Sequence, residues 1–169
     1  LLLVPQTEAD FYQAIEIPQP DNVLIEAGGM QPLPDGRLLA CTRRGEIWMI
    51  TEPYSEKPEY KLWADGLQEP LGLLLHDGWI YSATRGELLR MRDSNGDDRA
   101  DEFEVVCDDW SISGNYHEYL FGPRIDRKGN LWLTSNKPFG GQPFGAVDWR
   151  GWAFRIAADG KMQPVAAGL

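Results

Sequence analysis

The chain carries 26 acidic against 16 basic residues over 169 positions, a formal net charge of −10. Phosphate backbones are bound by clustered cations, so this balance excludes nucleic acid as a partner class. No apolar run reaches the roughly 20 residues of a membrane span, and Leu1-Leu2-Leu3-Val4 is too short for a complete signal-peptide core, so the chain is expected not to span a membrane.

Taken in order, residues 1–20 read as an irregular lead-in, punctuated by Pro5, Pro18 and Pro20, with a short strand or turn at 11–15. Residues 21–28 read as an outer strand of a blade whose other strands are missing, and so as the strand that closes a ring. From there a hairpin recurs. Pro34-Asp35-Gly36-Arg37-Leu38-Leu39-Ala40 followed by Arg44-Gly45-Glu46-Ile47-Trp48 matches His76-Asp77-Gly78-Trp79-Ile80-Tyr81-Ser82 followed by Arg85-Gly86-Glu87-Leu88-Leu89. A third copy runs through Lys128-Gly129-Asn130-Leu131-Trp132-Leu133 and resumes, after an insertion, at Arg150-Gly151-Trp152-Ala153-Phe154. The repeat glycines Gly36, Gly78 and Gly129 lie 42 and 51 residues apart, within or just beyond the length of a four-stranded propeller blade.

Each repeat is therefore expected to be one blade. Blade one, 29–65, has strands near 30–33, 37–42, 46–51 and 60–64. Blade two, 66–109, has them near 71–75, 79–83, 87–92 and 103–107, and blade three, 110–169, near 119–125, 131–134, 151–156 and 161–166. The predicted class is all-β: a β-propeller fragment of about three four-stranded antiparallel blades. Three blades do not close a ring where four to eight are usual. Val165-Ala166-Ala167-Gly168-Leu169 also repeats Trp63-Ala64-Asp65-Gly66-Leu67, the segment that introduces a blade. The chain is accordingly expected to be a piece of something larger.

Alternation along the strands is imperfect because propeller sheets are covered on both faces. The seven Trp and six Tyr fall mostly at strand positions and are read as packing between sheets. Cys41 and Cys107 lie in strands of different blades, either as two buried thiols or as a disulfide.

Antiparallel order decides which loops share a face. His117, Arg43, Arg44, Arg85, Glu69 and the insert 135–150 fall at one end of the blades. The turns at Asp35-Gly36 and Asp77-Gly78 fall at the other, together with the acidic loop Asp93-Ser94-Asn95-Gly96-Asp97-Asp98-Arg99-Ala100-Asp101-Glu102-Phe103-Glu104. An EF-hand type of calcium loop takes oxygens from positions 1, 3, 5, 7, 9 and 12. Here those are Asp93, Asn95, Asp97, the Arg99 carbonyl, Asp101 and Glu104, with Asp98 standing where glycine is usual. The loop is either a calcium site or a solvated acidic turn. No helices flank the loop, so it is not expected to act as a sensor switch, and because it lies opposite His117 at the blade periphery any ion there is expected to be structural.

The acidic loop, then Asn115-Tyr116-His117-Glu118-Tyr119, then Phe121-Gly122-Pro123-Arg124-Ile125-Asp126-Arg127-Lys128-Gly129-Asn130-Leu131-Trp132-Leu133 resembles the glucose/sorbosone dehydrogenase family of soluble quinoproteins. The similarity is nearest to large secreted bacterial proteins described as membrane-bound dehydrogenases, in which a six-bladed propeller precedes helical-repeat and cytochrome c segments. It implies a periplasmic or secreted location, pyrroloquinoline quinone (PQQ) as cofactor, a sugar or alcohol as substrate and a cytochrome c-type domain as partner. It also implies that His117 matches the histidine that takes the hydroxyl proton, a role suited to imidazole in general. The residues after His117 depart from the family's small polar run.

Three functions follow. A quinone-dependent dehydrogenase would use His117 as base, with Arg85, Arg44, Asn136 and Lys137 as cofactor contacts. A calcium-stabilised propeller with a degenerate site would instead bind carbohydrate or a protein, leaving His117 to brace its loop. A lactonase-type hydrolase would need Glu69, Glu118 and Asn136 to converge on a central metal.

Overall fold

A computed structural model of the protein describes residues 7–137 and 148–168. Apart from one 3-10 turn at Glu8–Asp10, every regular element among the described residues is a strand. The strands are β1 (Ala27–Pro32), β2 (Leu38–Thr42), β3 (Ile47–Thr51), β4 (Glu59–Ala64), β5 (Leu73–His76), β6 (Trp79–Ala83), β7 (Leu88–Arg92), β8 (Glu102–Cys107), β9 (Leu120–Ile125), β10 (Leu131–Ser135), β11 (Trp152–Ile156) and β12 (Met162–Ala167). They form three four-stranded sheets in the orders β1-β2-β3-β4, β5-β6-β7-β8 and β9-β10-β11-β12, each antiparallel throughout. These are three consecutive propeller blades, with the predicted strand ends displaced by at most three residues.

The hairpin glycines explain the repeat. Gly36, Gly78 and Gly129 all take positive φ, at +91°, +77° and +82°, a conformation glycine adopts without steric cost, which lets the first hairpin of each blade turn tightly.

The blades stack through their broad faces. Leu39, Cys41, Met49 and Trp63 of blade one meet Leu73, Ile80, Leu89 and Met91 of blade two. On the other side of blade two, Tyr81, Ala83, Leu88 and Cys107 meet Leu120, Leu131, Leu133, Phe154 and Ile156 of blade three. Because both faces of β2 are covered, all five of its residues are buried, which is why it lacks a polar/apolar alternation. The two cysteines belong to different seams and are free thiols, so the disulfide alternative falls. Burial pushes the Cys41 thiol up to about 11.

Nearest the axis the inner strands touch through glycine. A Cβ on Gly29 would lie 2.6 Å from the Gly72 Cα, and one on Gly72 would overlap the Gly122 carbonyl. Each blade thus omits a side chain where its inner strand meets the next, and the blades converge there.

The stretch 21–28, expected as a closing outer strand, holds no strand before Ala27. An outer strand needs a sheet beside it to pair with. Here the Glu26 carbonyl instead accepts from the Arg43 N–H at 3.2 Å, one step beyond the β1–β2 pairing. Ile17 and Ile25 cover Leu38, Ala40 and Ile50 on the outer face of blade one, and the Tyr60 hydroxyl donates to the Pro18 carbonyl at 2.9 Å. No helix among the described residues is long and apolar enough to cross a membrane.

Candidate functional site

His117 sits in the connection between β8 and β9, at the end of the blades that also carries the β2–β3 and β6–β7 turns. Its loop is closed from within. The buried Glu118 carboxylate accepts from the Ser113 backbone N–H at 2.9 Å and from the Ser113 hydroxyl. The Asn115 side-chain oxygen accepts from the His117 N–H at 2.9 Å, a local side-chain-to-backbone turn of the kind asparagine favours.

Two neighbours grip the loop from outside. Arg85 of the β6–β7 turn donates through Nε to the Glu118 carbonyl at 3.1 Å and through Nη2 to the Asn115 carbonyl. Asn136, just past β10, accepts from the Tyr119 N–H at 2.5 Å and donates to the His117 carbonyl. Backbone groups on both sides of His117 are thereby bound, while the His117 side chain stays exposed with the Tyr116 ring edge-on at 5.0 Å. Arg43 reaches the Tyr116 hydroxyl and lies over its ring, 5.0 Å from the centroid.

Beneath the loop is a network of paired charges. Glu69 stands between Arg43 at 3.6 Å and Arg85 at 3.5 Å. The backbone of Glu69 takes φ +48°, unusual for a side chain of its size. Arg150 lies 3.9 Å from Glu118, both essentially sealed from solvent. Burial pulls the Arg150 guanidinium below its ordinary range, opposed by Glu118 and reinforced by Arg85. The buried Glu69 Oε2 and Arg150 Nη1 have no hydrogen-bond partner. Every blade contributes one such pair, with Arg44 3.8 Å from Glu26 as the exposed version in blade one. The signal for Arg150 was present in sequence, since an Arg-Gly dipeptide recurs before each third strand.

The predicted site residues are therefore only partly brought together. Arg85 and Asn136 meet at the His117 loop, yet they bind its backbone and so do not form a cradle for an anionic cofactor. Arg44 pairs with Glu26 in solvent, and Lys137 is exposed next to residues 138–147, the part of the predicted insert that lies outside the described residues. PQQ is thus not accommodated by these four residues as they stand. The hydrolase centre is not assembled either, because Glu118 is held by Ser113 and Asn136 by the loop backbone.

At the opposite end of the blades, the acidic loop has folded onto itself and onto blade one. Asp93 accepts from the N–H groups of Gly96 at 2.7 Å, Asp97 at 3.2 Å and Asp98 at 2.7 Å. Desolvation alone would raise the Asp93 carboxyl, but these backbone donors outweigh it and hold it below the usual range. Asn95 accepts from the Asp97 N–H, Asp97 from the Arg99 N–H, and Asp101 from the backbone and hydroxyl of Ser94. Glu104 is elsewhere, ion-paired with Arg90 at 2.5 Å across the β7–β8 ladder, so it leaves the predicted ligand set. The oxygens suit calcium in kind. No group of three or more acidic, His or Cys side chains able to hold a metal is formed among the described residues.

Basic residues dock the loop instead. Arg37 reaches Asp98 at 2.6 Å, Arg99 reaches Asp65 at 3.1 Å, and the Ala100 N–H donates to the Trp63 carbonyl at 2.7 Å.

No protein-family model matches the sequence, and no curated protein matches it. Among solved structures the chain is similar to an oxidoreductase (glucose dehydrogenase) from Thermus thermophilus, with TM-score 0.62 and 19% identity over 80% of this chain and 44% of that one. It is similar to a glucose dehydrogenase, with TM-score 0.61 and 15% identity over 80% and 46%. It is also similar to a luciferin-regenerating enzyme, with TM-score 0.52 and 14% identity over 78% and 41%. The chain spans less than half the length of each. At such identities the likeness is one of architecture: this chain folds as three blades of the propeller seen in glucose dehydrogenase-like proteins.

Proposed function

We propose that these blades belong to an oxidoreductase acting on the CH–OH group of a sugar or alcohol, with His117 accepting the hydroxyl proton. The observation that carries this reading is an exposed imidazole on a loop whose backbone is bound on both sides of it, by Arg85 at residues 115 and 118 and by Asn136 at residues 117 and 119. Fixing the backbone that flanks a general base lowers the cost of bringing it to a substrate. Arg85 and Asn136 are positioning residues in this scheme.

PQQ, when bound, supplies a two-electron acceptor for hydride. Arg85, Arg44, Asn136 and Lys137 do not form its site here, so the proposal for this chain is confined to proton transfer at His117. A periplasmic or secreted location and a cytochrome c-type partner belong to the same proposal and rest on the resemblance alone.

The test is quinone-dependent dye reduction by the full-length protein with a panel of aldoses and alcohols. His117→Ala should lower kcat/KM by about 10²–10⁴-fold, the usual contribution of a general base. Turnover equal to wild type would leave His117 as a loop brace and end the dehydrogenase reading, with the propeller unaffected.

A further inference from the structure

At the end of the blades opposite His117, the seam between blades two and three opens into a cleft of about 420 Å³, within the size range of small-molecule sites. Its two walls are chemically unlike. Blade two presents Trp79, Tyr81, Arg90 and Glu104, whereas blade three presents, beside Leu131 and Asp159, the small residues Gly129, Ala157, Ala158 and Gly160, none of which has an atom beyond Cβ. The bare wall is fixed in place: Gly160 takes φ +81°, and a Cβ there would lie 2.9 Å from the Val106 carbonyl of β8.

We propose that this cleft binds a neutral polyhydroxy ligand, a mono- or disaccharide. Its one fixed cation is already matched. Arg90 holds Glu104 through Nε at 2.8 Å, the His76 imidazole lies 3.3 Å from Asp77, and Lys161 lies 3.3 Å from Asp159. Among the described residues that line the cleft Arg90 is the only lysine or arginine, and Glu104 already holds it, so no free cation is left to select an anion. An arginine and a carboxylate side by side offer planar donors and acceptors to adjacent hydroxyls, and the half-buried indole supplies an apolar surface for sugar C–H groups. Arg90 and Arg92 lie 4.5 Å and 4.3 Å from the centre of the Trp79 ring and hold it on the sheet. The site is remote from the His117 loop and stands whether or not that loop is catalytic.

The experiment is an NMR titration of the chain with D-glucose and maltose, with sodium sulfate as the anionic probe. Sugar should shift the Trp79 indole N–H and the Gly129 and Gly160 amides. Affinity should fall about tenfold or more in Glu104→Gln, the usual loss for one charge-assisted hydrogen bond. It should also fall in Ala158→Leu, which adds bulk to the bare wall and leaves the polar wall intact. Silence at those resonances, sugar shifts confined to residues 113–119, or a response to sulfate in place of sugar would each overturn the proposal.

Discussion

Between blades one and two the rim is closed by the loop through 93–101, which lays Asp98 against Arg37, Arg99 against Asp65 and Ala100 against the Trp63 backbone. Between blades two and three the corresponding connection, from third strand to outer strand, is the short turn through 157–161, and the rim stays open as the cleft. Deeper in, the seams are built alike, with Leu39, Met49 and Met91 in one and Leu131, Leu133 and Phe154 in the other. The difference teaches that blade stacking and rim chemistry are separable: apolar strand faces hold the blades together, and the length of one connection decides whether the gap above them is filled.

If that separation holds, the largest losses come from the shared inner layer. Phe154→Ala should cost about 3–5 kcal/mol and Met91→Ala about 2–5 kcal/mol in denaturant unfolding, since both side chains are fully buried. A cost under about 1 kcal/mol at either would mean that its seam is not held by this layer. At the closed rim the effect should be smaller. Arg37→Ala removes a partly exposed ion pair worth at most about 1 kcal/mol, but it should speed hydrogen exchange at the Ala100 N–H more than at the buried strands. Uniform exchange changes would show that the loop does not open as a unit.

The smallest expected effect is from calcium. If the backbone N–H groups gathered by Asp93, Asn95 and Asp97 are what hold the loop, chelation should leave Tm unchanged. A clear drop on chelation, abolished in Asp97→Ala, would show that the loop rearranges into a calcium site.

The blades were legible in sequence because hairpin glycines and apolar strand runs are local signals repeated at one spacing. His117, Arg85 and Asn136 were placed at one end by strand order alone. Their partners were not legible. Nothing in the residue type of Arg85 or Asn136 distinguishes a side chain that binds the backbone of a neighbouring loop from one that awaits a ligand. Glu104 was assigned by counting positions along a loop, whereas the structure puts it across a strand pair from Arg90, where opposite charges face each other. The stretch 21–28 carried a strand-like composition, but pairing depends on a neighbour and composition does not supply one.

The glycine contacts between inner strands bear on how such a molecule could change over time. Where Gly29, Gly72 and Gly122 meet, neighbouring blades are separated by peptide groups alone. Substitution there cannot adjust polarity or shape without forcing the blades apart, so that part of the wall is chemically frozen. Any diversity of substrate or partner has to be written in the connections at the two ends, whose lengths and side chains can drift while the inner wall keeps its spacing.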